Sequence, residues 1–190
     1  MRDKAPSVTI RTPRLSRRSF LTTCAAASLG LVAAEALADI PSASERLLAF
    51  HNTHTGESLR CTYWARGEYL ADALTEINHL LRDHRSGEAY PMAPSLLDLV
   101  YHLNQSVGGR KPFEIVSGYR SPSTNAKLRR KHSGVAKRSL HMSGQAMDIR
   151  LPGCDLRELH QAALALRAGG VGYYPASDFI HVDVGRVRSW

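Results

Sequence analysis

The stretch SLHMSGQAMDIRL, residues 139–151, decides how the rest of the chain is read. His141 and Asp148 stand seven residues apart, a spacing that a helix would bring to one face. Gly144 weakens a helix there, and QAMDIRL alternates apolar and polar residues with period two. The pattern predicts a strand from about Gln145, with Met147, Ile149 and Leu151 on one face and Ala146, Asp148 and Arg150 on the other. A chain reversal at Ser143-Gly144 would fold His141 back over the Asp148 face. A histidine and a carboxylate that converge are potential metal ligands, although the pair alone reads more simply as a loop histidine and a solvated aspartate.

A second polar pair lies near the far end of the chain. In FIHVDVG, residues 179–185, Ile180, Val182 and Val184 form an alternating core face, so Phe179, His181 and Asp183 point the other way. If this strand neighbours the one carrying Asp148, then His141, Asp148 and His181 supply two imidazole nitrogens and one carboxylate oxygen. Three protein ligands with an open fourth position are the donor set of a catalytic zinc site, and no thiol offers itself to close it. Such a metal lowers the pKa of bound water and polarises a carbonyl. A carboxylate beside that water can act as general base, and a fixed cation can stabilise an oxyanion. Asp183 shares the face of His181, Asp178 sits three residues before it, and Arg120 follows Ser117-Gly118-Tyr119 as the candidate cation.

The elements around these residues follow from periodicity and punctuation. RLLAFHN (46–52) and ESLRCTYW (57–64) flank THTG and read as a hairpin. EYLADALTEINHLLRD (68–83), with Leu70, Leu74, Ile77 and Leu81, reads as an amphipathic helix, as does PSLLDLVYHLNQSVG (94–108), with Leu97, Val100, Tyr101 and Leu103 and with Pro94 near its start. PFEIVSGYR (112–120) reads as a strand ending at Ser117-Gly118, and STNAKLRRK (123–131) as a short helix with a Ser or Thr cap. DLRELHQAALALRAGG (155–170) is a helix capped by Asp155 and expected to stop at Gly169-Gly170, before the closing strands VGYYP and FIHVDVG. The order predicts an α+β fold, a single domain with a small, mainly antiparallel sheet flanked by helices.

The N-terminal 38 residues read as an address rather than as fold. SRRSFL (16–21) leads into the apolar run LTTCAAASLGLVAA, which ends in EALA before Asp39. Twin arginines, a modest apolar region and Ala36-Leu37-Ala38 make a Tat-type export signal, too short to favour a permanent membrane span. Cys24 is a poor lipidation site, because threonine precedes it and most of the apolar run follows it. The whole chain carries 25 Lys/Arg and 17 Asp/Glu over 190 residues. Removing residues 1–38 takes away six basic and two acidic side chains and leaves 19 against 15, a net of +4. That charge argues against a nucleic-acid partner and fits weak attraction to an anionic cell-wall polymer. Of the three cysteines, Cys61 and Cys154 remain, either paired or as separate buried thiols.

SGYRSPSTN (117–125), SLHMSGQAMDI (139–149) and GVGYYPASDFIHVDVG (170–185) together resemble the M15 zinc peptidases, the family of D-alanyl-D-alanine carboxypeptidases and murein endopeptidases, in its exported bacterial branch. The resemblance extends from residue 46 to Trp190. It implies the fold of the D-Ala-D-Ala carboxypeptidase/Hedgehog-like type, a domain over 39–190, and His141, Asp148 and His181 as zinc ligands. It implies Arg120 as a substrate or transition-state contact, and cleavage of amide bonds in peptidoglycan stem peptides or cross-links. Several members place an acidic residue where Asp178 stands, whereas the His-x-Asp pattern favours Asp183 as the base. Ser139 is a candidate for hydrogen bonding to substrate, and Tyr173 and Tyr174 for lining the cleft. A metal-containing wall-binding module without turnover is the alternative from a different functional class.

Overall fold

The structure, a computed structural model, describes residues 45–131 and 134–190. The expected export signal and Cys24 lie outside the described residues. Alternating residues from Arg46 build the expected hairpin: β1 (Arg46–Asn52) pairs antiparallel with β2 (Ser58–Ala65), with Phe50 opposite Leu59. A two-residue strand, β3 (Glu68–Tyr69), extends its outer edge. Two amphipathic helices follow, α1 (Ala71–Leu80) and α2 (Pro94–Ser106), the second with Pro94 in its first turn, where a missing amide hydrogen costs nothing. α2 buries Leu96, Leu97, Leu99, Val100 and Leu103, and each such side chain contributes roughly 1.5–3 kcal/mol when taken out of water. Leu70, expected on the buried stripe of α1, instead precedes the helix and is exposed.

The remaining elements carry the site. β4 (Phe113–Ser117) leads into α3 (Pro122–Lys131), where the Ser121 hydroxyl accepts the Thr124 amide as a cap. A short 3₁₀ turn over Leu140–Ser143 enters β5 (Ala146–Arg150) through Gly144. The glycine is required there: φ is +65°, and a Cβ would stand 2.2 Å from the Pro91 carbonyl oxygen. α4 (Leu156–Leu166), β6 (Gly170–Tyr174), β7 (Phe179–Asp183) and β8 (Arg188–Ser189) complete the chain. The Asp155 side chain caps α4 by accepting the Arg157 and Glu158 amides, as its sequence predicts. The stop differs from expectation, since Arg167, not a glycine, takes the left-handed conformation at φ 49°. Gly169 and Gly170 serve close packing instead: a Cβ on Gly169 would overlap the Asp183 carbonyl, and one on Gly170 would meet the Asp183 and Arg188 side chains.

The eight strands of the described residues form one sheet in the order β3-β2-β1-β4-β5-β7-β6-β8. Five of the seven pairings are antiparallel, and β1 with β4 and β6 with β8 are parallel. The α+β class with a mainly antiparallel sheet is therefore the observed one. α1 packs on β2, α2 on β1 and α4, and α4 on β6 and β7. Met147, Ile149, Ile180, Val182 and Val171 are buried in the same core as these helices. By the pleat, Asp148 and His181 point to the other face. Among the described residues Cys61 and Cys154 are not bonded to each other, and both are half-buried.

Candidate metal centre

β5 and β7 are neighbours, and their register sets Asp148 directly opposite His181. The 3₁₀ turn brings His141 over the same spot, and its side chain is buried. His141 Nδ1 donates to the Gly118 carbonyl at 2.7 Å, and the His141 carbonyl accepts the Arg120 amide at 3.1 Å. The loop after β4 thus holds the turn and fixes the tautomer, leaving the Nε2 lone pair free. His181 gives Nε2–H to Asp183 Oδ2 at 3.0 Å, which leaves Nδ1 as its donor nitrogen.

His141 Nε2, Asp148 Oδ1 and His181 Nδ1 form a triangle with edges of 3.3, 2.9 and 3.3 Å. Tetrahedral donors around a zinc ion at ~2.0–2.1 Å stand about 3.3–3.4 Å apart, so the triangle fits such an ion with small adjustment. These residues form a group among the described ones whose ligand atoms could hold a metal. Burial opposes ionisation of Asp148, but the two facing imidazoles outweigh it and hold the carboxyl well below the usual carboxylate range. Burial also opposes the charged form of His181, yet Asp148 and Asp183 on its two nitrogens raise its pKa.

The triangle opens into a cleft with a volume of about 840 Å³. Arg120 reaches it with a mostly buried guanidinium, 3.5 Å from Asp148 and 3.3 Å from the Ser117 hydroxyl. Its Nε has no partner among the described residues, and burial lowers its pKa, with Asp148 partly opposing that. A guanidinium on the lining of a cleft is suited to an oxygen of a bound molecule.

Residues 40–190 match the peptidase M15 family described as "Peptidoglycan L,D-endopeptidase MepK". The chain belongs to this family. The protein of that name from Escherichia coli (strain K12) is 43% identical over 155 residues, covering 82% of this chain and 85% of its own length. The one from Shigella flexneri matches equally. The Haemophilus influenzae protein named "Probable peptidoglycan L,D-endopeptidase MepK" is 41% identical over 155 residues, covering 81% of this chain and 83% of its own length.

In this M15 peptidase, neither carboxylate expected as general base stands free beside the triangle. Asp183 is fully buried. Its Oδ1 accepts the Gly170 and Gly185 amides and Arg188, while Oδ2 accepts Arg188 at 2.6 Å and His181 Nε2. It therefore sits on the far side of the His181 ring from Nδ1, with its acceptor sites taken. Strand parity placed it on the correct face, but parity says nothing of what fills its lone pairs. Asp178 adopts the left-handed conformation after the Pro175–Ser177 turn, and Arg150 holds its carboxylate at 3.2 Å. It lines a separate pocket with Glu114 and Arg150 and is absent from the cleft lining.

Ser139 and Tyr174 line the cleft. Tyr173 does not: it alternates to the helix side of β6, where its ring stacks on His160 of α4 at 4.7 Å. Sequence reasoning missed the wall beyond it. Trp190 lies over Gly172, where a Cβ would meet the indole at 2.8 Å. Its ring centroid is 5.2 Å from that of His181, Arg188 stacks on it at 4.8 Å, and its Nε1 donates to the Tyr174 hydroxyl at 2.7 Å. The alternation Arg188-x-Trp190 was the available signal, but a two-residue strand is too short to stand out.

Proposed function

We propose that this chain is a zinc-dependent peptidoglycan endopeptidase that hydrolyses an L,D amide bond in cell-wall peptides. The observation that carries the reading is the donor triangle of His141, Asp148 and His181 at the floor of a cleft, in a chain of this family. When bound there, a zinc ion supplies Lewis acidity towards a carbonyl oxygen and lowers the pKa of a water molecule.

The chain's own residues do the rest. His141 Nε2 and His181 Nδ1 are the ring nitrogens available to a metal, because Gly118 and Asp183 accept the hydrogen on the other ring nitrogen. Asp183 is thus a positioning residue acting through His181. Arg120 lines the cleft beside the triangle, and its guanidinium donates to the oxygen that gains charge as the amide carbon is attacked. Ser139 and Tyr174 contact the peptide from the walls. Residues 1–38 act as a Tat-type signal that delivers the domain over 39–190 to the compartment holding peptidoglycan; translocation of a folded chain allows the metal to be taken up first.

The test is digestion of purified peptidoglycan sacculi by the zinc-loaded protein, with mass spectrometry of the released fragments and His141→Ala as control. Fragments with newly freed termini at an L,D bond, absent from the control, are the expected result. Fragments that persist in the control or after removal of zinc by a chelator refute the reading.

A further inference from the structure

The walls of the cleft carry charge of one sign. Four arginines line it, Arg85, Arg120, Arg138 and Arg188, against two carboxylates, Asp148 and Asp183. Both carboxylates are engaged, Asp148 by the imidazoles and Asp183 by Arg188 and backbone amides. Arg188 is thereby neutralised. Arg85 and Arg138 are exposed and form no ion pair among the described residues. Asp83, two residues from Arg85, is turned inward and accepts the Ser121 and Arg85 amides.

The sequence explains why nothing neutralises this wall. Between Ile115 and Met147 there are seven Lys/Arg and no Asp or Glu, and this segment supplies Arg120, Arg138 and the apolar lining around Leu128 and Val135. At the other side His54 stacks on His84 at 3.7 Å. Burial, with the Arg85 charge beside it, pushes His84 down to about 4, and an imidazole offers no negative charge in either protonation state. Unpaired cations along one wall of a cleft present a positive potential to whatever enters.

We propose that Arg138 and Arg85 form a carboxylate-binding wall, through which the protein selects stem peptides with free carboxylates over the same peptides with those groups amidated. The inference rests on the peptidoglycan reading above. Stem peptides carry carboxylates that are not part of the chain of amide bonds, and the planar guanidinium fork matches a carboxylate in shape and charge. A primary amide of nearly the same size has neither the charge nor two acceptor oxygens, so it loses the interaction without a steric penalty.

The experiment uses one soluble cross-linked peptide dimer in two forms, with its free carboxyls intact and with the same carboxyls converted to primary amides. Hydrolysis by the zinc-loaded wild type, Arg138→Gln and Arg85→Gln is followed by chromatography at low and high salt. The wild type is expected to favour the acid form in kcat/KM by roughly 3- to 10-fold per arginine engaged, chiefly through KM, and less so at high salt. In each variant the ratio between the two forms falls towards one. Equal kcat/KM on both forms in the wild type overturns the inference, as does a wild-type ratio retained in both variants. If the wild type cuts neither form, the endopeptidase reading fails, and calorimetric binding of the two dimers to the same protein decides the wall: a preference for the acid form supports it and equal affinity overturns it.

Discussion

Replacing Asp183 by Asn separates a positioning role from a catalytic one. The side chain has five donors around it: Gly170 N, Gly185 N and Arg188 on Oδ1, and Arg188 and His181 Nε2 on Oδ2. An amide has one acceptor oxygen, so either orientation sets its NH₂ group against at least two donors, and it cancels the partner charge of Arg188. Removing one member of a buried charge pair costs about 3–5 kcal/mol, and the carboxylate is fully buried. A loss of that size is a large part of a typical stability of about 5–15 kcal/mol, so the variant should fold but unfold at much lower urea. His181 also loses the acceptor that orients it, and zinc affinity should fall roughly 10- to 100-fold. Urea denaturation of the metal-free protein gives the first quantity, and competition with a chromophoric chelator the second. A stability loss below about 1 kcal/mol together with unchanged zinc affinity would refute the reasoning. Intact stability and zinc binding with abolished kcat would return Asp183 to the role of general base.

Other consequences can be measured directly. Zinc at about 100 times its dissociation constant should stabilise the protein by about 2.7 kcal/mol, raising the melting temperature by roughly 5–10 °C, and His141→Ala should abolish the shift in differential scanning calorimetry. His84 has a folded pKa of about 4, below its unfolded value of roughly 6.5, so the unfolded chain binds more protons between these values. Stability should therefore fall as pH drops through that window, and urea midpoints at pH 7 and 4.5 should differ less in His84→Gln than in the wild type. Gly144→Ala must accept a left-handed φ and a Cβ 2.2 Å from the Pro91 oxygen, so it should lose more than about 2 kcal/mol and bind zinc more weakly, as judged by the same denaturation and chelator assays.

Periodicity along the chain was sufficient for much of this protein. The alternation in AMDIR and FIHVD assigned both strands and put Asp148, His181 and Asp183 on one face, because the pleat of a strand is a local property. Gly144 after His141 announced a reversal for the same reason, since a left-handed residue is a local demand. The helix starts at Pro94 and Asp155 were equally legible. What one strand places beside another is set by register and by distant segments. Only the fold put Asp148 opposite His181, sent Tyr173 to His160, gave Asp178 to Arg150 and surrounded Asp183 with five donors. Trp190 over Gly172 left only a faint signal in the alternation Arg188-x-Trp190, because its partners lie far away in the sequence and the strand before it has two residues. A local pattern determines which way a side chain points; the packing of the whole chain determines what it meets there.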